Sequence, residues 1–145
     1  MNYRVLVCAL FLLAASLLSP GREESLDQLR TKADAAPAAQ QIDLCIEVAD
    51  RELKLTLDAY GANKTQDGRS AIDQIVTYSD KARSAAIHAG KKQKHTEIRI
   101  RRISERLRDL KLNVDPDDQP IIQAAIDKLE SFRTELLKSM FGSKR

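Results

Sequence analysis

The side chains best able to do chemistry in this 145-residue chain are two histidines, two cysteines and a few closely spaced carboxylates. His88 and His95 lie seven residues apart, and no cysteine or carboxylate stands beside them at a spacing typical of metal ligands. We therefore expect both imidazoles to be solvated near a basic turn. The sequence predicts neither a metal site nor a cofactor site.

The carboxylates form two short-range pairs, Glu47/Asp50 and Asp127/Glu130. On helices, these spacings favour solvated faces with local ion pairs over acid–base catalysis. The sequence also lacks a nucleophile elbow and a glycine-rich phosphate loop. Because an enzyme needs several polar groups that converge in one cleft, we predict that this protein is not an enzyme.

The N-terminal residues predict export from the cytoplasm. Arg4 precedes an almost unbroken apolar run, Val5–Leu18, which is followed by Ser19, Pro20 and Gly21. This pattern is typical of a secretory signal, and the run is shorter than most membrane-spanning helices. We interpret residues 1–21 as a cleaved signal peptide and the protein as periplasmic or secreted. The alternative is an uncleaved N-terminal anchor.

Cys8 lies within this leader, so a mature chain would keep Cys45 as its single cysteine and could form no internal disulfide. Cys45 falls on the apolar stripe of a predicted helix. Two interpretations remain open: a small buried thiol, or an intermolecular disulfide in an oxidising compartment.

The rest of the chain predicts an all-α fold. Residues 22–36 are interpreted as a linker or a weak lead-in helix, and residues 37–142 as one helical bundle domain. Within that domain, apolar residues recur at three- and four-residue steps in four segments, namely 42–60, 72–89, 100–114 and 122–140. Since the connectors are short, we expect an antiparallel bundle of about four helices.

One alternative fuses the second and third helices into a single long coiled-coil helix. The apolar positions between residues 72 and 114 share one heptad phase, which would permit such a helix. Gly90–Glu97, however, contains no apolar residue. The polar run favours a hairpin over the long helix.

Charge is distributed unevenly along the sequence. Residues Arg22–Tyr60 carry five basic and nine acidic side chains, whereas Asp80–Lys111 carry eleven basic and four acidic ones. This asymmetry predicts either a surface that attracts anions or an attraction that holds the two halves together. The candidate anion- or partner-binding residues are Lys91, Lys92, Lys94, Arg99, Arg101 and Arg102.

The amino-acid composition of this basic region limits the classes of partner that we expect it to bind. It contains no tryptophan or phenylalanine, which weakens the case for membrane insertion. It also lacks the interleaved aromatic residues on which nucleic-acid bases stack, so we expect no nucleic acid as partner.

Two stretches carry a resemblance to a known group of proteins. They are VTYSDKARSAAIHAGKKQKHTEIRIRRISERLRDLK and DQPIIQAAIDKLESFRTELLKSMFG. Together they resemble small uncharacterised exported helical proteins of acidobacterial type. The resemblance implies a signal peptide and a helical domain, and it transfers no catalytic or binding residue.

These observations lead to one principal functional hypothesis. We expect an exported, non-catalytic helical bundle that acts in protein–protein or cell-envelope contacts, including self-association. The alternative is a peripheral binder of anionic membrane or polymer surfaces that uses the basic region 81–111.

Overall fold

A computed structural model describes residues 24–142, and all regular structure in this part of the chain is helical. The all-α prediction is therefore confirmed for these residues. The five helices are α1 (Leu26–Ala35), α2 (Ala38–Gly61), α3 (Thr65–Ala89), α4 (Gln93–Lys111) and α5 (Gln119–Phe141).

Helices α2 to α5 pack as two antiparallel hairpins laid side by side. The most extensive contacts join α2 to α3 and α4 to α5. The hairpins meet where α3 packs beside α5 and α2 beside α4, and α3 also contacts α4, which follows it in the chain. Because the connectors are short, each helix reverses direction relative to the one before it.

Helix α1 makes the expected count of four too low. Ser25 caps this helix: its hydroxyl accepts from the Gln28 backbone NH, and the Gln28 side chain accepts from the Ser25 NH. Pro37 starts the next helix, and Leu29 and Ala33 are buried against the bundle. Few apolar residues mark this segment, which is why the sequence pattern indicated at most a weak helix.

The chain breaks between α3 and α4, so the single long helix does not occur. Gly90 adopts a left-handed conformation with φ of 62° and caps α3. Lys92 is also left-handed, with φ of 56°, and stands at the N-cap of α4. Two left-handed residues within three positions turn the backbone sharply, despite the continuous heptad phase on either side.

The core is one continuous cluster of aliphatic side chains from all five helices. The predicted stripes supply most of it, because inward positions recur with the helical period. Its fully buried large apolar members are Leu29, Ile42, Val48, Ile72, Ile75, Ile100, Ile103, Leu107, Ile122, Leu129 and Leu136.

Phe132, Leu110 and Val114 pack at the margin of this core and stay partly exposed. Among residues 24–142, no helix combines the length and hydropathy that crossing a bilayer requires. The predicted signal peptide, residues 1–21, lies outside the described residues.

Candidate anion-binding surface

The α3–α4 turn and α4 position all six of the predicted binding residues. Lys91 and Lys92 lie in the turn, and Lys94 lies in the first turn of α4. The turn is held by backbone bonds in which the Lys91 NH donates to the Ala86 carbonyl and the Thr96 NH to the Lys92 carbonyl. The three lysines thus stand on a defined backbone at one end of the bundle, and Arg99, Arg101 and Arg102 follow along α4.

Two of the six predicted residues form ion pairs within the molecule. Lys92 forms an ion pair with Asp43, and Arg99 forms one with Asp50. Both acids belong to α2, so these pairs join α4 to its neighbour. Lys92 and Arg99 therefore have intramolecular partners, and their place in a partner-binding set stays a prediction.

The other four form what we call the basic face: Lys91, Lys94, Arg101 and Arg102. All four side chains are exposed. In the described part of the chain, no carboxylate pairs with any of them within 4.0 Å. These cations are therefore available to an external anion.

The remainder of the outward surface of α4 is mixed in charge. Arg106 adds a further exposed cation, whereas Glu105 and Asp109 place two carboxylates near the C-terminal half of the helix. The positive field is thus strongest towards the α3–α4 turn. An anion would bind best at that end.

A buried polar network fixes which side of α4 faces outward. Glu97 is buried and accepts two hydrogen bonds from Arg133 of α5, at 2.9 and 2.7 Å. Glu130 accepts from the Ser104 hydroxyl at 2.7 Å, from Arg108 at 2.8 Å and from Arg133 at 2.6 Å. Because these bonds lie on the α5 side, the basic face points away from the bundle.

The same network lowers the pKa of Glu130. Burial acts to raise it, but the Ser104 hydroxyl and the Arg133 and Arg108 guanidinium groups together outweigh burial. The Glu130 carboxylate is therefore held in its charged form by partners within the fold, as expected for a structural group.

The other candidate chemical groups stay apart from one another. His88 and His95 are exposed. Across residues 24–142, no group of three or more histidine, cysteine, aspartate or glutamate side chains could hold a metal ion. Of the predicted carboxylate pairs, Glu47 pairs with Arg51 at 2.6 Å, and Asp127 accepts from the Gln123 amide at 2.8 Å.

Cys45 is a free and fully buried thiol. Its burial raises the pKa to about 11; nearby Lys81 lowers it slightly, and Asp34 adds to the increase. A buried thiol with so high a pKa is a poor nucleophile. The structure therefore favours the buried-thiol interpretation over the intermolecular disulfide.

A cleft of about 720 Å³ lies between α2 and α3 beside α1. Its inner end is formed by Arg30 and Glu52, which pair with each other, and Leu55 lies on its wall. The charged groups at that end already have partners, so the cleft offers less to an anion than the basic face does.

Sequence reasoning missed a pair of exposed apolar residues near the end of α5. Leu137 and Phe141 of α5 are exposed, and both lie beside the predicted apolar stripe of that helix rather than on it. Their spacing of four residues is the signal that could have revealed a second, outward apolar face.

Comparison with protein-family models, with curated proteins and with solved structures finds no match to this chain.

Proposed function

We propose that this protein is an exported, non-catalytic helical bundle that binds an anionic partner through the basic face. The observation that carries the proposal is the division among the six predicted cations. Lys92 and Arg99 are paired within the fold, whereas Lys91, Lys94, Arg101 and Arg102 are exposed and form no ion pair within 4.0 Å among residues 24–142.

Ion pairs between the two halves of the chain explain why only some of the basic residues stay unpaired. The acidic first half of the chain neutralises basic groups of the second half at several points, including Asp34 with Lys81 at 2.6 Å. Internal pairing therefore accounts for part of the basic excess between residues 80 and 111. The basic face consists of cations that no internal ion pair neutralises. We therefore expect it to attract an external anion.

The non-catalytic part of the proposal is supported by how the polar groups are engaged. Glu130 is enclosed by Ser104, Arg108 and Arg133, and Asp50 is paired with Arg99. Cationic partners lower the pKa of Glu130, and a carboxylate held in its charged form in this way is a poor general acid. Export is proposed on the sequence of residues 1–21.

Chromatography on immobilised heparin, a polyanion, tests the proposal. Replacing the four basic-face residues with glutamine should lower the salt concentration needed for elution and weaken binding at low salt by roughly tenfold or more, because exposed charges act through a screened field. The matched control neutralises four exposed lysines elsewhere, Lys32, Lys54, Lys64 and Lys128.

The control variant has the same net charge as the test variant, so overall charge cannot explain a difference between them. Equal loss of retention in both variants would overturn the proposal, and so would retention of the unmodified protein that does not depend on salt. Circular dichroism of both variants checks that they remain helical.

A further inference from the structure

The last turn of α5 lies at the same end of the bundle as the α3–α4 turn. Arg133 of α5 bonds to Glu97 in the first turns of α4, and these two helices run antiparallel. Glu135 of α5 bonds to Arg83 near the end of α3 at 2.6 Å. Both bonds place the end of α5 level with Gly90.

This end of α5 carries exposed apolar side chains. Phe141 is 71% exposed and Leu137 is 40% exposed, although residues of these types are usually buried. They lie four residues apart and hence on the same side of the helix. They form an apolar tip that nothing covers in the described part of the chain.

Exposed cations surround the same end. Lys91 and Lys94 come from the α3–α4 turn and the start of α4, and Lys138 comes from α5 itself. An apolar tip within a set of lysines is the composition typical of surfaces that bind anionic lipid bilayers.

We propose that this end of the bundle docks on an anionic lipid bilayer, with Phe141 and Leu137 entering the interface and the lysines contacting lipid phosphates. The inference rests on the proposed function and specifies its partner. A hydrated polyanion would attract the lysines but would leave Phe141 exposed, whereas a bilayer accommodates both kinds of group.

A single tryptophan tests this orientation directly. The chain contains no tryptophan, so Phe141→Trp creates one reporter at the apolar tip. On vesicles of equal phosphatidylglycerol and phosphatidylcholine, its emission should shift to the blue and be quenched by brominated lipid. On pure phosphatidylcholine vesicles, the emission should remain unchanged.

Leu112→Trp is the matched control, because Leu112 is 81% exposed at the opposite end of the bundle. Its emission should not change on either vesicle. Adding Lys91→Gln and Lys94→Gln to the Phe141→Trp variant should weaken vesicle binding about fivefold for each lysine removed. All variants keep the N-terminal residues unchanged, so those residues cannot produce a difference between the two reporters.

The possible results separate this inference from the proposed function. Unchanged Phe141→Trp emission on the anionic vesicles overturns the inference, and so does equal quenching of the two reporters. If heparin retention through the basic face persists in that case, the proposed function stands with a partner other than a bilayer. Loss of both responses overturns both proposals.

Discussion

Glu52 is a carboxylate buried to 99% in the α1–α2 contact, where it pairs with Arg30 of α1. A buried charge requires a partner, because leaving water costs several kcal/mol for an unpaired ion. Arg30 supplies that partner from a helix that buries only two of its own apolar residues, Leu29 and Ala33. The ion pair therefore holds α1 in its place on the bundle.

Removing the guanidinium group of Arg30 tests this role. Arg30→Ala should lower the free energy of unfolding by about 2–3 kcal/mol, because it leaves the Glu52 carboxylate buried without its cation. Lys32→Ala is the control: Lys32 pairs with Glu24 at 3.7 Å on the surface and should cost less than about 0.5 kcal/mol. Urea titration measures the free energy of unfolding of both variants. Equal losses would contradict the proposed role of Arg30 in holding α1 on the bundle.

The sequence could predict the binding residues as a group but not one by one. Arg99 directly precedes Ile100 of the apolar stripe, so its side chain lies at the margin of the buried face, where it reaches Asp50. Arg101 and Arg102 lie further round the helix and stay exposed. The difference depends on which neighbour packs there, and helical periodicity alone does not specify a neighbour.

The α3–α4 turn contains two of the three residues with positive φ in the described part of the chain. Its position follows from sequence, because Gly90 and a polar run interrupt an otherwise continuous heptad phase. Its geometry does not follow, since Lys92 adopts a left-handed conformation that lysine seldom takes. The ion pair between Lys92 and Asp43 is a tertiary contact that helps to fix this conformation.

Gly90→Ala should destabilise the protein by about 1 kcal/mol, because a side chain at φ of 62° is strained even where space is open. Gly61→Ala is the matched control. It also faces open space but lacks a positive φ, so it should be neutral or stabilising by up to about 1 kcal/mol. Thermal unfolding followed by circular dichroism compares the two, and a stabilising Gly90→Ala would contradict the strain.

Helix α1 was harder to predict than the turn. Its capping box, Ser25 with Gln28, is a local signal that the sequence carries. Its apolar pattern is weak, because Leu29 and Ala33 are its two buried residues and much of its attachment is polar. Helix α1 is also held by two tertiary ion pairs, Arg30 with Glu52 of α2 and Asp34 with Lys81 of α3. A periodic pattern in the sequence does not predict such contacts.

At the scale of the whole molecule, the charge asymmetry of the sequence also contributes to assembly. Acids of α1 and α2 pair with bases of α3 and α4, as Asp50 does with Arg99. The four apolar stripes predicted that α2 to α5 share a core. They could not predict that α3 lies beside α5 and α2 beside α4, because a stripe identifies a buried face without its neighbours.

Two substitutions compare the centre of the core with its margin. Leu107→Ala should cost about 2–5 kcal/mol, because Leu107 is fully buried and the change leaves a cavity. Phe132→Ala should cost less, about 1–2 kcal/mol, since Phe132 is partly exposed and contacts the Arg83 guanidinium 5.4 Å from its ring centre. Urea midpoints check the order, and a larger loss for Phe132 would contradict it.

The complete burial of Cys45 has a consequence for how the chain matures. A thiol enclosed in this way is withdrawn from exchange with other disulfides once the helices have assembled. The vulnerable interval is the time before assembly, when the sulfur is accessible to any oxidising partner. Helical folds with mostly local contacts generally fold faster than folds with many distant contacts, which shortens that interval.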